Sequence, residues 1–438
     1  MTLLSSIFLS YTRGRAVKEQ KTMQARLRSR LVQAAERYGT PLYVYDQATI
    51  VERCQSLQAA IPWAKKVLLY AVKANSNAGV VRAVLGTGFG LECVSLGEVL
   101  LGRRLGAKRI LYTSNNVSDA EFNAAVALAR ESKGASIWVN CDSLQRLKDL
   151  PRGSACFARV NGPVGGGHHD HVITCGPESK FGIPWEQMPE ALRIASARKH
   201  RIIGVHQHIG SGIREVGRFA QAVEILLRVL RKGRLPDLEY VDFGGGIGVP
   251  YRPEEKPMDL RAFGAMLDAH FGSFCTELGR DLTLVLEPGR FPVAECGYLV
   301  VRVNTLKETP YGKTYAGVDS GFNHLVRPTL YGSYHHITNL SRPRARTAQY
   351  YVAGNLCETG DIFTRGEGQE NRAAPRELPE VRRGDLLAFH NAGAYGYVMA
   401  SEYNLRPRPA EVLLDGRRLV LARRAKTFEE LAEEVRGR

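Results

Sequence analysis

No stretch of this chain approaches the roughly 20 consecutive apolar residues that a membrane-spanning helix requires. Its eight cysteines (54, 93, 141, 156, 175, 275, 296 and 357) include no CxxC pair, so the common zinc and dithiol motifs are missing and the pattern suits a reducing cytosol. No carboxylate follows the histidines of HQHIGSG (206–212) at zincin spacing, so no metal is expected. The glycine run 244–246 lacks the lysine and Ser/Thr of a Walker A loop, which argues against nucleotide hydrolysis. Acidic residues are the scarcer charge: 44 Asp and Glu stand against 60 Lys and Arg, leaving a formal +16. No basic run is interleaved with aromatics, so this excess reads as a solvated arginine-rich surface rather than a nucleic-acid or membrane site.

What is present is ordinary for a globular enzyme. The 438 residues are 44% hydrophobic and 24% charged, enough chain for two domains and a large core. Eight short apolar, β-branched or aromatic runs recur: 67–72, 91–95, 110–114, 136–140, 156–160, 202–206, 239–243 and 283–287. Between them lie segments such as 120–133 and 214–233, whose apolar positions repeat at helical spacing. Eight β–α units in series predict a (β/α)8 TIM-type barrel over 60–300, with a doubly wound open sheet as the competing architecture.

The loops after barrel strands build the active site. Lys73 ends the first run, in YAVKAN, where desolvation is expected to push its amine towards the neutral, nucleophilic form that a Schiff base needs. A lysine snorkelling to solvent is the plainer alternative. His208 follows the sixth run, Gly244, Gly245 and Gly246 the seventh, and Glu287 closes the eighth in EPGR (287–290). Exposed backbone N–H groups in a glycine turn can cradle phosphate. An imidazole can stack on a flat aromatic cofactor, and a carboxylate beside a pyridine nitrogen would keep that ring protonated. Singly these residues are weak signals: a flexible turn, a packed histidine, a strand-end carboxylate.

Together YAVKAN, HIGSG, DFGGGIGVPY, EPGRF, RPTLYGSYHHI (327–337), GNLCETGD (354–361) and AGAYG (392–396) resemble the fold-type III pyridoxal 5'-phosphate (PLP) decarboxylases, from about Thr40 to Ala425. RVNGPVGGGHHDHVITCGPESKFGI (159–183) and RPTLYGSYHHI favour the members that act on diaminopimelate over those acting on ornithine or arginine. The resemblance implies decarboxylation of meso-2,6-diaminopimelate to L-lysine and carbon dioxide, the last step of lysine synthesis. It implies Lys73 as the Schiff-base lysine and His208 stacked on the ring. Ser211, Gly244 to Gly246 and Tyr395 would hold the phosphate, and Glu287 would face the ring nitrogen. Arg290, Arg327, Tyr331 and Tyr395 would contact substrate; Cys357 would act as general acid, and Glu358 would meet the distal ammonium. In such enzymes Cys357 and Glu358 reach the site from a second subunit, so a cytoplasmic homodimer with shared active sites is expected. A substrate with a carboxylate and an ammonium at each end needs protein charges of both signs. Alternatives are a decarboxylase of another basic or siderophore-precursor amino acid, and a non-catalytic homologue that binds a partner.

The chain departs from relatives at Glu92, where aspartate is usual, at Val117, Gln207, Tyr397 and Val398, and at Glu402, which replaces an asparagine. Tyr397 adds bulk two residues from Tyr395. None of these departures removes a residue to which the resemblance gives a catalytic role.

From Val301 onwards short alternating runs (314–319, 348–354, 385–393, 410–416, 418–425) predict an antiparallel β domain, joined by PLYVYD (41–46). The β-rich domain is therefore expected to be discontinuous, 32–59 with 301–438. Thr427 and Glu430 fit a capping box at the start of a C-terminal helix. Residues 1–31 hold seven basic residues against Glu19 alone and read as a disordered extension, an organelle presequence, or a start placed upstream of Met23.

Overall fold

The computed structural model describes residues 25–132, 134–162, 175–176, 178–233, 235–366 and 369–436. The chain divides into two units, Asp46–Gly297 with Asn391–Met399, and the remainder.

In the first unit every expected strand forms. They are β2 (Lys66–Ala71), β3 (Gly90–Cys93), β4 (Arg109–Tyr112), β5 (Ser136–Cys141), β6 (Ala155–Asn161), β7 (Arg201–His206), β8 (Tyr240–Asp242) and β9 (Thr283–Leu286), numbered after a preceding strand β1 (Leu42–Asp46). Neighbours pair in parallel in that order. β9 returns to β2 with Leu284 opposite Lys66, which closes the barrel and removes the open-sheet alternative. Helices alternate with the strands, among them Asp119–Glu131 and Val216–Lys232, where the spacing predicted them. Ser118 caps the first by accepting the Glu121 N–H, and the second buries Phe219, Val223, Leu226, Leu227 and Leu230 along one stripe.

The barrel interior is filled by side chains from alternate strand positions. Val67, Leu69, Leu111, Phe157, Ile203 and Val285 form one buried cluster, with Trp138 and Tyr240 packed against it. The rings of Trp138, Phe157 and Tyr240 lie 5.1 to 5.8 Å apart. Gly204 is required there, because a Cβ would fall 2.4 Å from the Phe157 ring.

The second unit contains β1 at the centre of a nine-stranded sheet. The others are β10 (Gly297–Glu308), β11 (Thr314–Val318), β12 (Ile337–Asn339), β13 (Thr347–Ala353), β14 (Arg376–Pro379), β15 (Leu386–Phe389), β16 (Ala410–Asp415) and β17 (Arg418–Arg423). The order is β14-β13-β11-β10-β1-β16-β17, with β12 and β15 continuing from β10. The sheet is mixed rather than antiparallel as expected: β11 and β13 run parallel, Tyr315 opposite Tyr351. A long crossover through residues 319–346, not a hairpin, joins them, and alternation of side chains is the same in either direction. The capping box at Thr427 forms as predicted and starts a helix at Phe428–Val435.

Three boundaries differ from expectation. Residues 25–38 are helical, and Leu31, Ala34 and Ala35 pack with Leu42, Val44, Val300 and Val412, so the anticipated extension does not reach residue 31. Its remainder, 1–24, lies outside the described residues. The helix Gln47–Ala60 and residues 391–399 group with the barrel. The reason is close packing: a Cβ on Gly264 of the barrel would sit 1.7 Å from the Ala60 carbonyl, and one on Gly393 1.9 Å from that of Val293.

Candidate active site

The C-terminal ends of the barrel strands carry a ring of buried polar groups. β2 runs into a single 3-10 turn, Val72–Ala74, which lifts Lys73 out of the apolar strand. Its amine bonds the carboxylate of Glu92, from β3, which is 1% exposed. Burial by itself would lower the pKa of Lys73, but the Glu92 charge, joined by Tyr395 and Glu287, outweighs it and raises the pKa above the ordinary lysine value. This corrects the expectation of a neutral amine: a partner from the neighbouring strand keeps it protonated. The same burial pushes Glu92 up to about 7 against the pull of Lys73.

Opposite, β7 ends in His206, whose Nε2 lies 3.1 Å from Oε2 of Glu287 after β9. Burial opposes ionisation of Glu287, yet His206, Lys73 and His208 together hold its carboxyl below the usual range. Asp242 ends β8 in register with His206. Burial, then the Glu287 charge, raises its carboxyl well above normal, and its Oδ1 accepts the Gly244 N–H at 2.8 Å. The ligand atoms of His206, Asp242 and Glu287 lie within 4.8 Å of one another, a spacing a cation could use. The His206–Glu287 hydrogen bond and the bond from the Gly244 N–H to Asp242 hold these side chains in place.

The turn after β8 comes close to its neighbours at each glycine. A Cβ on Gly244 would lie 2.5 Å from the Gln207 carbonyl, on Gly245 2.1 Å from that of Glu287, and on Gly246 2.6 Å from that of Gly210. Gly244 and Gly246 also have φ of +69° and +113°, conformations that favour glycine. The Gly245 N–H donates to Nδ1 of His208 at 3.1 Å. Burial, then Lys73 and Arg159, hold the His208 imidazole down to about 3, so it is neutral at physiological pH.

Arg290 binds this side together. Its Nε and Nη2 donate to Oγ of Ser211 at 3.2 and 3.1 Å, and Nη1 to the Tyr251 hydroxyl at 2.7 Å. Its guanidinium carbon lies 4.9 Å from the Tyr395 ring centre. Tyr395 has φ +56°, and its N–H donates to the Ala74 carbonyl, next to Lys73, at 2.8 Å. Lys73, His208, Ser211, Gly244 to Gly246, Glu287, Arg290 and Tyr395 are thus brought to one end of the barrel.

The other expected residues lie in the second unit. Arg327 is buried beside Tyr331, 5.7 Å from its ring centre, with Nη2 donating to Ser333 at 3.0 Å. Cys357 is exposed while the other seven cysteines are buried, and Glu358 beside it is exposed too. Among the departures, Tyr397 is buried, and Glu402 pairs with Lys426 at 3.3 Å and Arg408 at 3.5 Å. Sequence reasoning assigned no site role to Glu92, Arg159, His206 or Asp242. The available signal was a charged or imidazole side chain at the end of an otherwise apolar strand.

The barrel residues fit a pyridine ring bearing an aldehyde and a phosphate. An amine stands ready at Lys73, the glycine turn has room for no side chain of its own, and Oε1 of Glu287 is buried with no hydrogen-bond partner. A ring N–H would supply that partner.

Comparison with known proteins agrees. Residues 47–294 match the family described as pyridoxal-dependent decarboxylase, pyridoxal binding domain. The diaminopimelate decarboxylase of Methanothermobacter thermautotrophicus is 42% identical over 414 residues, 91% of this chain and 92% of that one. That of Escherichia coli K12 is 36% identical over 410 residues, 92% and 95% of the two chains. A crystal structure of diaminopimelate decarboxylase covers 93% of this chain and 96% of its own at 34% identity and a TM-score of 0.83. The Helicobacter pylori enzyme complexed with L-lysine matches at 28% identity and a TM-score of 0.80, covering 90% and 96%. With identity of this level along nearly the whole chain, and the same barrel beneath it, the chain belongs to the diaminopimelate decarboxylase family of fold-type III, PLP-dependent decarboxylases.

Proposed function

We propose that the chain decarboxylates meso-2,6-diaminopimelate to L-lysine and carbon dioxide, the final step of lysine biosynthesis, using PLP at the barrel mouth. The observation that carries this reading is 42% identity to a diaminopimelate decarboxylase over 91% of the chain, with Lys73, His208, the glycine turn and Glu287 at one barrel end. That a relative was crystallised with L-lysine, the product of this reaction, supports it.

When bound, the cofactor supplies an electron sink for breaking the bond between Cα and a carboxylate. Lys73 would hold it at its aldehyde carbon, and Glu92, bonded to the Lys73 amine, is placed to take and return the amine proton. His208, neutral and fixed by the Gly245 N–H, offers a flat face for the ring. Gly244 to Gly246, Ser211 and Tyr395 would hold the phosphate, and Glu287, its Oε2 fixed by His206, would offer Oε1 to the ring nitrogen and keep it protonated. Arg290, Arg327, Tyr331 and Tyr395 bind substrate. A carboxylate reaching Arg290 would compete with the Ser211 and Tyr251 hydroxyls for its fork. Cys357 returns a proton to the carbon that has lost its carboxylate, and Glu358 accepts the distal ammonium.

A homodimer completes this reading, with Cys357 and Glu358 of one subunit serving the barrel of the other. The exposure of that dipeptide, in a chain that buries its other seven cysteines, supports it. Free thiols throughout also suit the cytoplasm, and among the described residues no helix is long and apolar enough to cross a membrane.

Carbon dioxide release over a panel of amino acids, with purified protein and PLP, tests the substrate. Meso-diaminopimelate should be turned over fastest, with L-lysine appearing in equal amount. Faster release from ornithine, arginine or lysine would remove the assignment and leave the fold.

A further inference from the structure

The Cys357 thiol is exposed on a loop, yet a positioned acid has to be held still. The loop's backbone is clamped at three consecutive residues. The Leu356 N–H donates to Oδ2 of Asp361 at 2.8 Å, and the Glu358 carbonyl accepts the Asp361 N–H at 3.0 Å. Between them the Cys357 N–H donates to Oδ1 of Asn404 at 2.8 Å. Asp361 belongs to the loop itself, whereas Asn404 comes from 47 residues further along the chain.

The segment bearing Asn404 adopts an unfavourable backbone. Asn404 has φ +57° and Leu405 φ +52°, two successive non-glycine residues in the left-handed region. Asparagine tolerates that region and leucine does so poorly, so the surroundings must impose it. They do so through the same framework that holds the cysteine loop. The Ser401 N–H donates to the Asn323 carbonyl at 2.8 Å, and the Tyr403 ring stacks on Phe322 at 5.8 Å and 17°. The Phe322 N–H donates to Oδ1 of Asp361 at 2.7 Å, the carboxylate that also holds Leu356. Strain kept in place by surrounding contacts points to a placement requirement.

We propose that Asn404 is a positioning residue for the reaction: by accepting the Cys357 N–H it fixes where the thiol is presented. This rests on Cys357 being the proton donor. Asparagine suits the task twice over, because it accepts the left-handed conformation and its side-chain oxygen accepts the Cys357 N–H. Displacing such a group by about 1 Å costs on the order of 10²-fold in rate.

The test compares the holoenzyme with N404G, N404D, C357A and the N404G/C357A double variant. N404G keeps the permissive backbone and removes the acceptor. It should lower kcat by about 10-fold or more with KM within about twofold, and leave the visible cofactor absorbance unchanged. Alkylation of Cys357 by iodoacetamide, followed by peptide mass spectrometry, should change in rate. N404D keeps an acceptor oxygen and should recover most of kcat. On the C357A background N404G should add no further loss, since its effect passes through the thiol. Wild-type kcat and alkylation in N404G with C357A slowed, equal losses in N404D and N404G, or losses that multiply in the double variant would overturn the inference alone. Full turnover by C357A would overturn the reading of Cys357, and the role of Asn404 with it.

Discussion

Lys73, in the turn that follows β2, and Glu92, in the adjacent strand β3, form an ion pair at the mouth in which the Glu92 side chain is buried and that of Lys73 is about one-third exposed. The pair keeps the lysine charged until a ligand displaces its partner. Removing the carboxylate charge with Glu92→Gln should lower the pKa of Lys73, because the largest charge opposing the effect of burial is then gone. The rate at which cofactor-free protein captures PLP, followed by visible absorbance across pH, should therefore shift to lower pH. An unchanged profile would show that Glu92 does not control the amine.

Glu287 is the only acidic group whose carboxylate is both bonded to a buried imidazole and left with one open oxygen among the described residues of the mouth. Glu287→Gln removes the charge proposed to face the ring nitrogen while keeping the shape. Turnover should fall on the order of 10²-fold, in the range seen when a preorganised electrostatic group is removed. PLP should still bind, so absorbance titration and kcat should separate. Retained turnover would argue that this carboxylate faces something else.

Gly245→Ala asks whether the turn after β8 is a cradle or a spacer. The new methyl would meet the Glu287 carbonyl at 2.1 Å, so backbone must shift, at a cost of about 1–3 kcal/mol. Such a shift moves the Gly245 N–H off His208 and misplaces the phosphate site. The Kd for PLP should rise about 10-fold or more while the barrel remains folded by circular dichroism. Wild-type affinity would make the glycine run structural.

Acid stability should reflect buried histidines. Burial holds His324 and His390 down to about 4 and His208 to about 3, well under the ordinary value. Below pH ~6.5 the unfolded chain then binds protons that the folded chain refuses, so stability rises with pH there. The contribution is complete above pH ~6.5 and is lost progressively as pH falls towards 4, on the order of several kcal/mol in total. Urea unfolding of the cofactor-free protein should show midpoints already declining between pH 6.5 and 5. A flat midpoint down to pH 4.5 would contradict these environments.

Much of this was legible in the chain because barrel strands are apolar runs that end abruptly in a charged or glycine residue. Lys73, His208, Gly244 and Glu287 each stand just past such a run, and period and position together placed them at one rim. Closure of the barrel was not legible, since the Leu284–Lys66 register depends on curvature that alternation does not encode. Nor was the parallel pairing of Tyr315 with Tyr351, because side chains alternate identically in both strand directions. The protonated state of Lys73 was missed for a related reason. Its partner Glu92 is 19 residues away and meets it only when β2 and β3 pair. His206 and Asp242 were hidden inside the strands they end, where a polar residue at the last position looks like ordinary punctuation.

The most direct measurement is borohydride reduction of the PLP-loaded protein followed by peptide mass spectrometry. The account predicts one modified site, a pyridoxyl phosphate group on the peptide carrying Lys73, abolished in Lys73→Ala. Modification of a different lysine, or of none, would contradict it.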